Sequence, residues 1–243
     1  MFKKIILALI VALIIAYLSF SIYYSNFRVK RNLICKEFRV NIFDSSERQY
    51  LLESDIINTI AIAGLSPVGK DVTSINTAAI EKKLMENRLV KQAECFKTVD
   101  GTVQVNIFHR TPVLRVFSMN DSYYVDSSGE KMPVPENYAA YVPVATGFVE
   151  DDFAKEQLFE FAIFLQQDKF WNSQIKQIYV AQNEDIELTP AVGNHRIILG
   201  KIENYKEKLD KLRLFYDKGL SKVGWNKYSV INLKFKNQVI CKK

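Results

Sequence analysis

The chain has 243 residues, 33 Lys+Arg against 27 Asp+Glu, a formal net charge of +6 and a hydrophobic fraction of 48%, an ordinary balance for a folded protein. Nine Gly and six Pro exclude collagen-like and low-complexity chains, and 16 Phe with 12 Tyr exclude a disordered tail. Two His and three Cys, far apart, exclude a zinc ribbon or a disulfide framework, and nothing implies a cofactor.

After Met1-Phe2-Lys3-Lys4 the chain runs from Ile5 to Tyr24 without a charge. Twenty helical residues span about 30 Å, the thickness of a hydrocarbon core. Twelve of them are Leu, Ile, Val or Phe, which favours insertion by at most about 4–7 kcal/mol. A cleaved signal peptide is opposed by the length of the run and by the lack of an A-x-A site. The expectation is a four-residue tail (1–4), a single transmembrane helix (5–24) and a stem (25–35). Lys3 and Lys4 on one side face Arg28, Lys30, Arg31 and Lys36 on the other, so the charge count leaves orientation open. From residue 25 to 120 there are 14 basic and 10 acidic residues, and from 121 onward 17 of each. The basic excess therefore lies near the anchor, too dilute to argue for nucleic acid.

The next stretch reads strand, helix, helix, strand, strand. Phe38–Phe43 alternates as a strand. Ser54 is placed as the N-cap of a helix through Ile56, Ile57, Ile60 and Ala61, stopped by Gly64. A second helix opens at Asn76, with Ile75 and Ile80 as a hydrophobic staple. Val90–Thr98 and Thr102–Arg110 flank Asp100-Gly101 as a hairpin, and Arg110-Thr111-Pro112 ends the ladder.

Further on, Ser122–Val125 is a strand leading into the turn Asp126–Gly129, and Tyr141–Thr146 is apolar. Asp151 or Asp152 is expected to cap a helix through Leu158, Phe161, Ala162 and Leu165. Residues 177–182, 186–189 and 196–199 read as strands. Tyr205, Leu209, Leu212 and Tyr216 share one face of a last helix, with Gly219 just past its end. Ser229–Cys241 reads as one long terminal strand. The fold class expected is α+β.

These elements resemble the FtsQ/DivIB family of bacterial cell-division proteins. The βααββ order is that of a POTRA domain, and Leu89–Glu94 stands at that family's V-K-x-A strand. Asn106–Val113 is similar to its strand ending in a basic residue, any residue, Pro. Tyr124–Gly129 is similar to its x-x-D-x-x-G turn, Val142–Gly147 to its V-P-x-x-x-G, and Tyr228–Phe235 to its I-D-L-R-Y strand, with Phe235 in place of Tyr. Val223–Tyr228 and Asn237–Cys241 resemble the Bacteroidetes branch. The resemblance implies a POTRA-like domain (36–117) followed by a β-rich mixed α/β domain with an extended sheet (118–243). It also implies a cytoplasmic amino terminus, a periplasmic bulk at the division septum, and FtsB/FtsL-like partners bound without catalysis.

The segment after Asp217 carries seven Lys and no acid. If its strand forms a sheet edge, a locally acidic partner segment could add to it by β-augmentation. The expected contacts are Lys234, Phe235, Lys236 and Asn232, with Trp225 and Tyr228 nearby. Lys on an edge is also a common device against aggregation. A second expectation is recruitment through Phe38–Phe43 or Val90–Thr98. Phe159, Phe161, Phe164, Phe170 and Trp171 read as core, His109 as a sheet residue and His195 as a turn. No nucleophile elbow, Walker loop or H-E-x-x-H motif is present. The competing reading is a POTRA-bearing envelope protein that handles polypeptides in outer-membrane assembly or secretion.

Overall fold

The computed structural model describes residues 2–29, 33–43, 50–119, 121–136 and 138–243, with side chains of the first segment described at 5, 6 and 9–24. Helix α1, Phe2–Val29, is 28 residues long and so continues past Tyr24 into the expected stem. Its described side chains from Leu9 to Tyr24 are uncharged and exposed, a stretch of 16 residues. Among the described residues, no helix is long and apolar enough to cross a membrane. Residues 30–32 of the stem lie outside the described residues. Residues 33–35 are not a free stem, because Val72 N donates to Leu33 O and Cys35 N to Lys70 O, each at 2.8 Å.

The chain divides into two compact units: residues 1–41, 53–84 and 93–107, and residues 42–52, 85–92 and 108–243. A three-stranded sheet has the order β1 (Glu37–Phe43), β3 (Thr102–His109), β2 (Val90–Lys97), with helices α2 (Glu53–Ile62) and α3 (Thr77–Met85) between β1 and β2 in sequence. This is the βααββ order read from the sequence. Within the first unit, Ile56 and Ile60 of α2 and Ile80 and Leu84 of α3, each pair one helical turn apart, are all 1% exposed. Val103, Val105 and Ile107 supply the opposing strand face at 0%. Asn76 caps α3 through Oδ1, which accepts from Ala79 N at 3.0 Å, and the staple residues Ile75 and Ile80 are both buried. Ser54 is not the cap of α2; that helix starts one residue earlier, with Glu53 and Asp55 in its first turn, where acids suit the positive helix end. Cys35, Cys95 and Cys241 are all free. Burial, aided by Glu81, pushes the Cys95 thiol up to about 12, which leaves it unreactive.

In the second unit, nine strands form one mixed sheet. In chain order they are β4 (Pro112–Ser118), β5 (Ser122–Asp126), β6 (Lys131–Met132), β7 (Val144–Gly147), β8 (Ile175–Val180), β9 (Ile186–Pro190), β10 (Arg196–Gly200), β11 (Val230–Asn232) and β12 (Ile240–Lys242). Across the sheet the order is β12-β11-β10-β9-β8-β7-β4-β5-β6. The β4–β7, β7–β8 and β10–β11 pairs are parallel and the others antiparallel. Because β4 pairs in this sheet, residues 112–117 belong with it and not with the three-stranded sheet.

Between β7 and β8 the chain forms α4 (Asp151–Phe153), a π-helical turn (Ala154–Leu158), α5 (Phe159–Gln167) and α6 (Lys169–Gln174). Neither Asp151 nor Asp152 is the cap; Glu150 holds that position without a side-chain bond. Asp151 instead takes the Tyr123 hydroxyl at 2.9 Å and Lys131 at 3.0 Å. After β10, α7 (Tyr205–Phe215) runs into a π-helical turn (Tyr216–Leu220) and α8 (Ser221–Val223). The helix therefore passes through Gly219 and ends at Gly224, whose φ is +94°.

The helices cover one face of the sheet. Val116, Ala145, Ile178, Leu188, Ile197 and Ile231 alternate onto that face and are 0% exposed, packed with Leu158, Phe161, Leu165, Leu209 and Leu212. Phe161 and Trp171 are buried core, and Phe159, Phe164 and Phe170 are half-buried against it, as expected. The opposite face carries Phe117, Gln177, Tyr179, Thr189 and Arg196, all exposed.

Strand spacing at β7 depends on Gly147. At φ +96°, a Cβ there would lie 2.3 Å from Val180 O and 2.9 Å from Tyr179 Cε2. At Gly64, φ +69°, nothing lies within 4 Å. Denaturant unfolding should therefore show Gly64→Ala costing about 1–2 kcal/mol, the left-handed penalty alone, and Gly147→Ala about 3 kcal/mol or more. Equal costs would refute the close approach at β7.

Candidate functional site

The candidate site is the β12 end of the nine-stranded sheet. The single terminal strand expected over Ser229–Cys241 is two short antiparallel strands, β11 and β12, joined by residues 233–239. The break has local causes. Asn232 Oδ1 accepts from Lys234 N at 2.9 Å, an Asx turn that ends β11. Lys211 Nζ then donates to the carbonyls of Phe235 and Lys236, both at 2.9 Å, so these carbonyls point toward α7 and not along a ladder. Leu233, fully buried, donates its N–H to Ile198 O at 2.8 Å and pins the start of the turn.

Lys234, Phe235 and Lys236 thus lie in a turn and not on the edge strand. Lys234 reaches back into its own unit: Nζ is 2.7 Å from Asp185 Oδ2, whose side chain is 18% exposed. Its stem lies across Gly200, where a Cβ would meet Lys234 Cγ at 2.7 Å. The hydrogen bond from Lys234 holds the Asp185 carboxyl below the usual carboxylate range. Phe235 is 45% exposed and Lys236 is exposed. Trp225, expected near the partner contacts, is half-buried and packs edge-on against Tyr216 with ring centroids 5.0 Å apart. Tyr228 is half-buried beside Phe215 at 6.0 Å. Asn232, Trp225 and Tyr228 are therefore half-buried supports of the edge, Lys234 is exposed but tied to Asp185, and Phe235 and Lys236 face outward.

The outer side of β12 bears no strand among the described residues. Ile240 is 43% exposed, and Cys241, on the alternate side, packs against the core, where burial raises its thiol. Next to this edge is a groove of about 430 Å³ lined by Lys211, Leu214, Phe215, Lys218, Gln238 and Val239, among others. Its floor is apolar and its rim is basic. The sequence reading missed the helical side of this groove, although a signal existed: Leu214 lies off the buried face of α7 and is 54% exposed, flanked at helical spacing by Lys211 and Lys218. Lys208, just behind, is held below the ordinary lysine value by burial. No group of three or more His, Cys, Asp or Glu among the described residues is placed to hold a metal.

The sheet's far side is locked differently. Asp126, 1% exposed, accepts from Ser128 N and Glu130 N at 2.8 and 3.0 Å and from Arg110 Nη1 at 2.8 Å. Arg110 is thus a structural residue, as the sequence suggested.

A βααββ unit followed by a one-sided sheet with a short, open edge defines an α+β module of the POTRA-bearing kind. A POTRA-like family model matches residues 33–108, and one described as FtsQ/DivIB, C-terminal related, matches residues 111–242, 132 of 243 residues. The chain belongs to this FtsQ/DivIB-related family. No curated protein matches it.

The Lys234–Asp185 pair is open to a double-mutant cycle. Lys234→Ala and Asp185→Asn should show a coupling of about 0.5–1 kcal/mol at pH 7 by denaturant unfolding. Because the Asp185 carboxyl is held low in the fold, the coupling is complete above the unfolded value of about 3.9 and fades as pH falls through the folded one. Coupling that persists in strong acid would contradict the ion pair.

Proposed function

We propose that this protein is a division scaffold of the cytoplasmic membrane that binds FtsB/FtsL-like partners through the β12 edge and the adjoining groove. The observation that carries the reading is the family match over residues 111–242 on a sheet whose β12 edge stays open beside an apolar, basic-rimmed groove. An incoming segment would add backbone hydrogen bonds to β12 and seat apolar side chains against Leu214, Phe215 and Phe235. Lys211, Lys218 and Lys236 would favour acidic neighbours, steering encounter more than adding affinity.

Helix α1 is read as the anchor. The described side chains of that helix form an uncharged run of only 16, Leu9–Tyr24, but in the sequence the run is Ile5–Tyr24, about 30 Å at about 1.5 Å per residue, which matches the hydrocarbon core. By the family resemblance, the amino terminus is cytoplasmic, the folded units periplasmic and the location septal. The full chain should resist alkaline extraction from membranes, whereas residues 33–243 expressed with a cleaved export signal should be released.

Co-purification of the full chain with the organism's FtsB/FtsL-like periplasmic segments tests the binding site. Lys234 is a poor probe, because its loss also frees Asp185. Phe235→Ala/Lys236→Glu should weaken binding at least about tenfold, roughly 1.4 kcal/mol, with unchanged thermal unfolding. Ile240→Glu, which puts a charge on the exposed side chain of β12 and leaves the β11–β12 ladder intact, should do the same. Undiminished binding by both variants would move the site elsewhere, and no complex with wild type would reopen the polypeptide-handling alternative.

A further inference from the structure

The chain reaches the β11–β12 hairpin through residues 224–229, and a buried polar contact holds that segment. His195, just before β10, is 1% exposed, as is Tyr216 in the π-helical turn. His195 Nε2 lies 2.8 Å from the Tyr216 hydroxyl, and the Tyr216 ring packs edge-on against Trp225 with centroids 5.0 Å apart. His195 Nδ1 is buried without a hydrogen bond of full geometry, with the Trp225 carbonyl on its side. A Cβ on Gly193 would come within 2.8 Å of Nδ1 and 3.2 Å of Trp225 O, so the imidazole is walled on this side too.

The groups around the ring offer no compensating charge. Tyr216 faces it from the helix, and burial raises that phenol, keeping it neutral. From segment 224–229 it meets the Trp225 carbonyl. Behind Tyr216 are the rings of Phe170 and Trp171, and beyond them Arg213 is already paired with Asp168 at 3.3 Å. Arg196 alternates to the opposite sheet face, where it pairs with Glu187 at 2.9 Å. Among the described residues, no carboxylate lies within ion-pair reach of His195.

We propose that His195 is an acid-sensitive latch on the terminal hairpin: protonating its ring puts an uncompensated charge between Tyr216 and Trp225 and loosens residues 224–242. Burial holds the His195 pKa below the ordinary histidine value, with the Trp225 carbonyl opposing. The fold therefore accommodates the neutral ring. Its contribution is complete above about pH 6.5 and is lost as pH falls toward the folded value. The consequence for binding rests on the reading that β12 carries the partner; the latch itself does not.

Amide hydrogen exchange on the full chain in detergent micelles at pH 7.5 and 5.0, corrected for intrinsic rates, tests this. Protection over 224–242 should fall severalfold more than over 175–190 in wild type and stay level in His195→Gln. An equal loss in the variant, or no loss in wild type, overturns the latch. Should the variant misfold, NMR titration of the His195 ring in wild type serves instead: loss of protection must coincide with that titration, and ring protonation without loss overturns the proposal. Binding of the FtsB-like segment at pH 7.5 separates the two ideas. Its absence in wild type sinks the partner reading alone, and pH-independent exchange with intact binding sinks the latch alone.

Discussion

The period-2 alternation of the nine-stranded sheet is the constraint on which the second unit depends. Every strand from β4 to β11 except the two-residue β6 turns an apolar residue to one face, and only a helical layer can remove that face from water. Each fully buried aliphatic or aromatic side chain is worth about 1.5–3 kcal/mol, and ordering each residue costs a comparable amount. The helices must therefore meet the sheet without gaps. Phe161 and Leu158 occupy the centre of that contact and are fully buried. The π-helical turns in both helical segments, each placing five residues where an α-helix would fit fewer per turn, keep apolar faces registered on a twisted surface.

Two buried polar groups show what full and partial satisfaction accomplish in such a core. Asp126 has its charge met by Arg110 and its lone pairs by two backbone amides, so it fixes the turn after β5. His195 has one ring nitrogen matched and the other without a bond of full geometry. A half-satisfied network in low dielectric is poised, because a single proton changes its balance. The first makes a rigid corner and the second a responsive one, at opposite ends of the same sheet.

Much of this architecture was legible in the sequence. Alternation marked the Val90–His109 hairpin, Asp126 through Gly129 announced a turn, and the 4, 3, 4 spacing of Tyr205, Leu209, Leu212 and Tyr216 gave the buried face of α7. The errors share a cause: local signals outvoted by side chains distant in sequence. Gly219 reads as a helix end, yet the helix continues because Tyr216 and Leu220 are held in the core. Residues 229–241 read as one strand, yet Lys211 draws two carbonyls away from the ladder. Asp151 reads as a cap, yet Tyr123 and Lys131 claim it. The candidate site was legible as a region but not as a list of residues, because which lysines face outward depends on ion pairs such as Lys234–Asp185.

The brevity of β12 sets a limit on the affinity it alone can deliver. A three-residue edge offers roughly two or three backbone hydrogen bonds, each worth about 1 kcal/mol net. Micromolar affinity requires about 8 kcal/mol. A bare β-segment of any sequence therefore falls short, and so does accidental pairing with another exposed strand. Only a ligand that fills the groove beside Leu214 and Phe215 at the same moment reaches useful occupancy. On the proposed reading, the short edge would act as a coincidence requirement, selecting by the simultaneous presence of two weak matches and leaving the complex free to come apart.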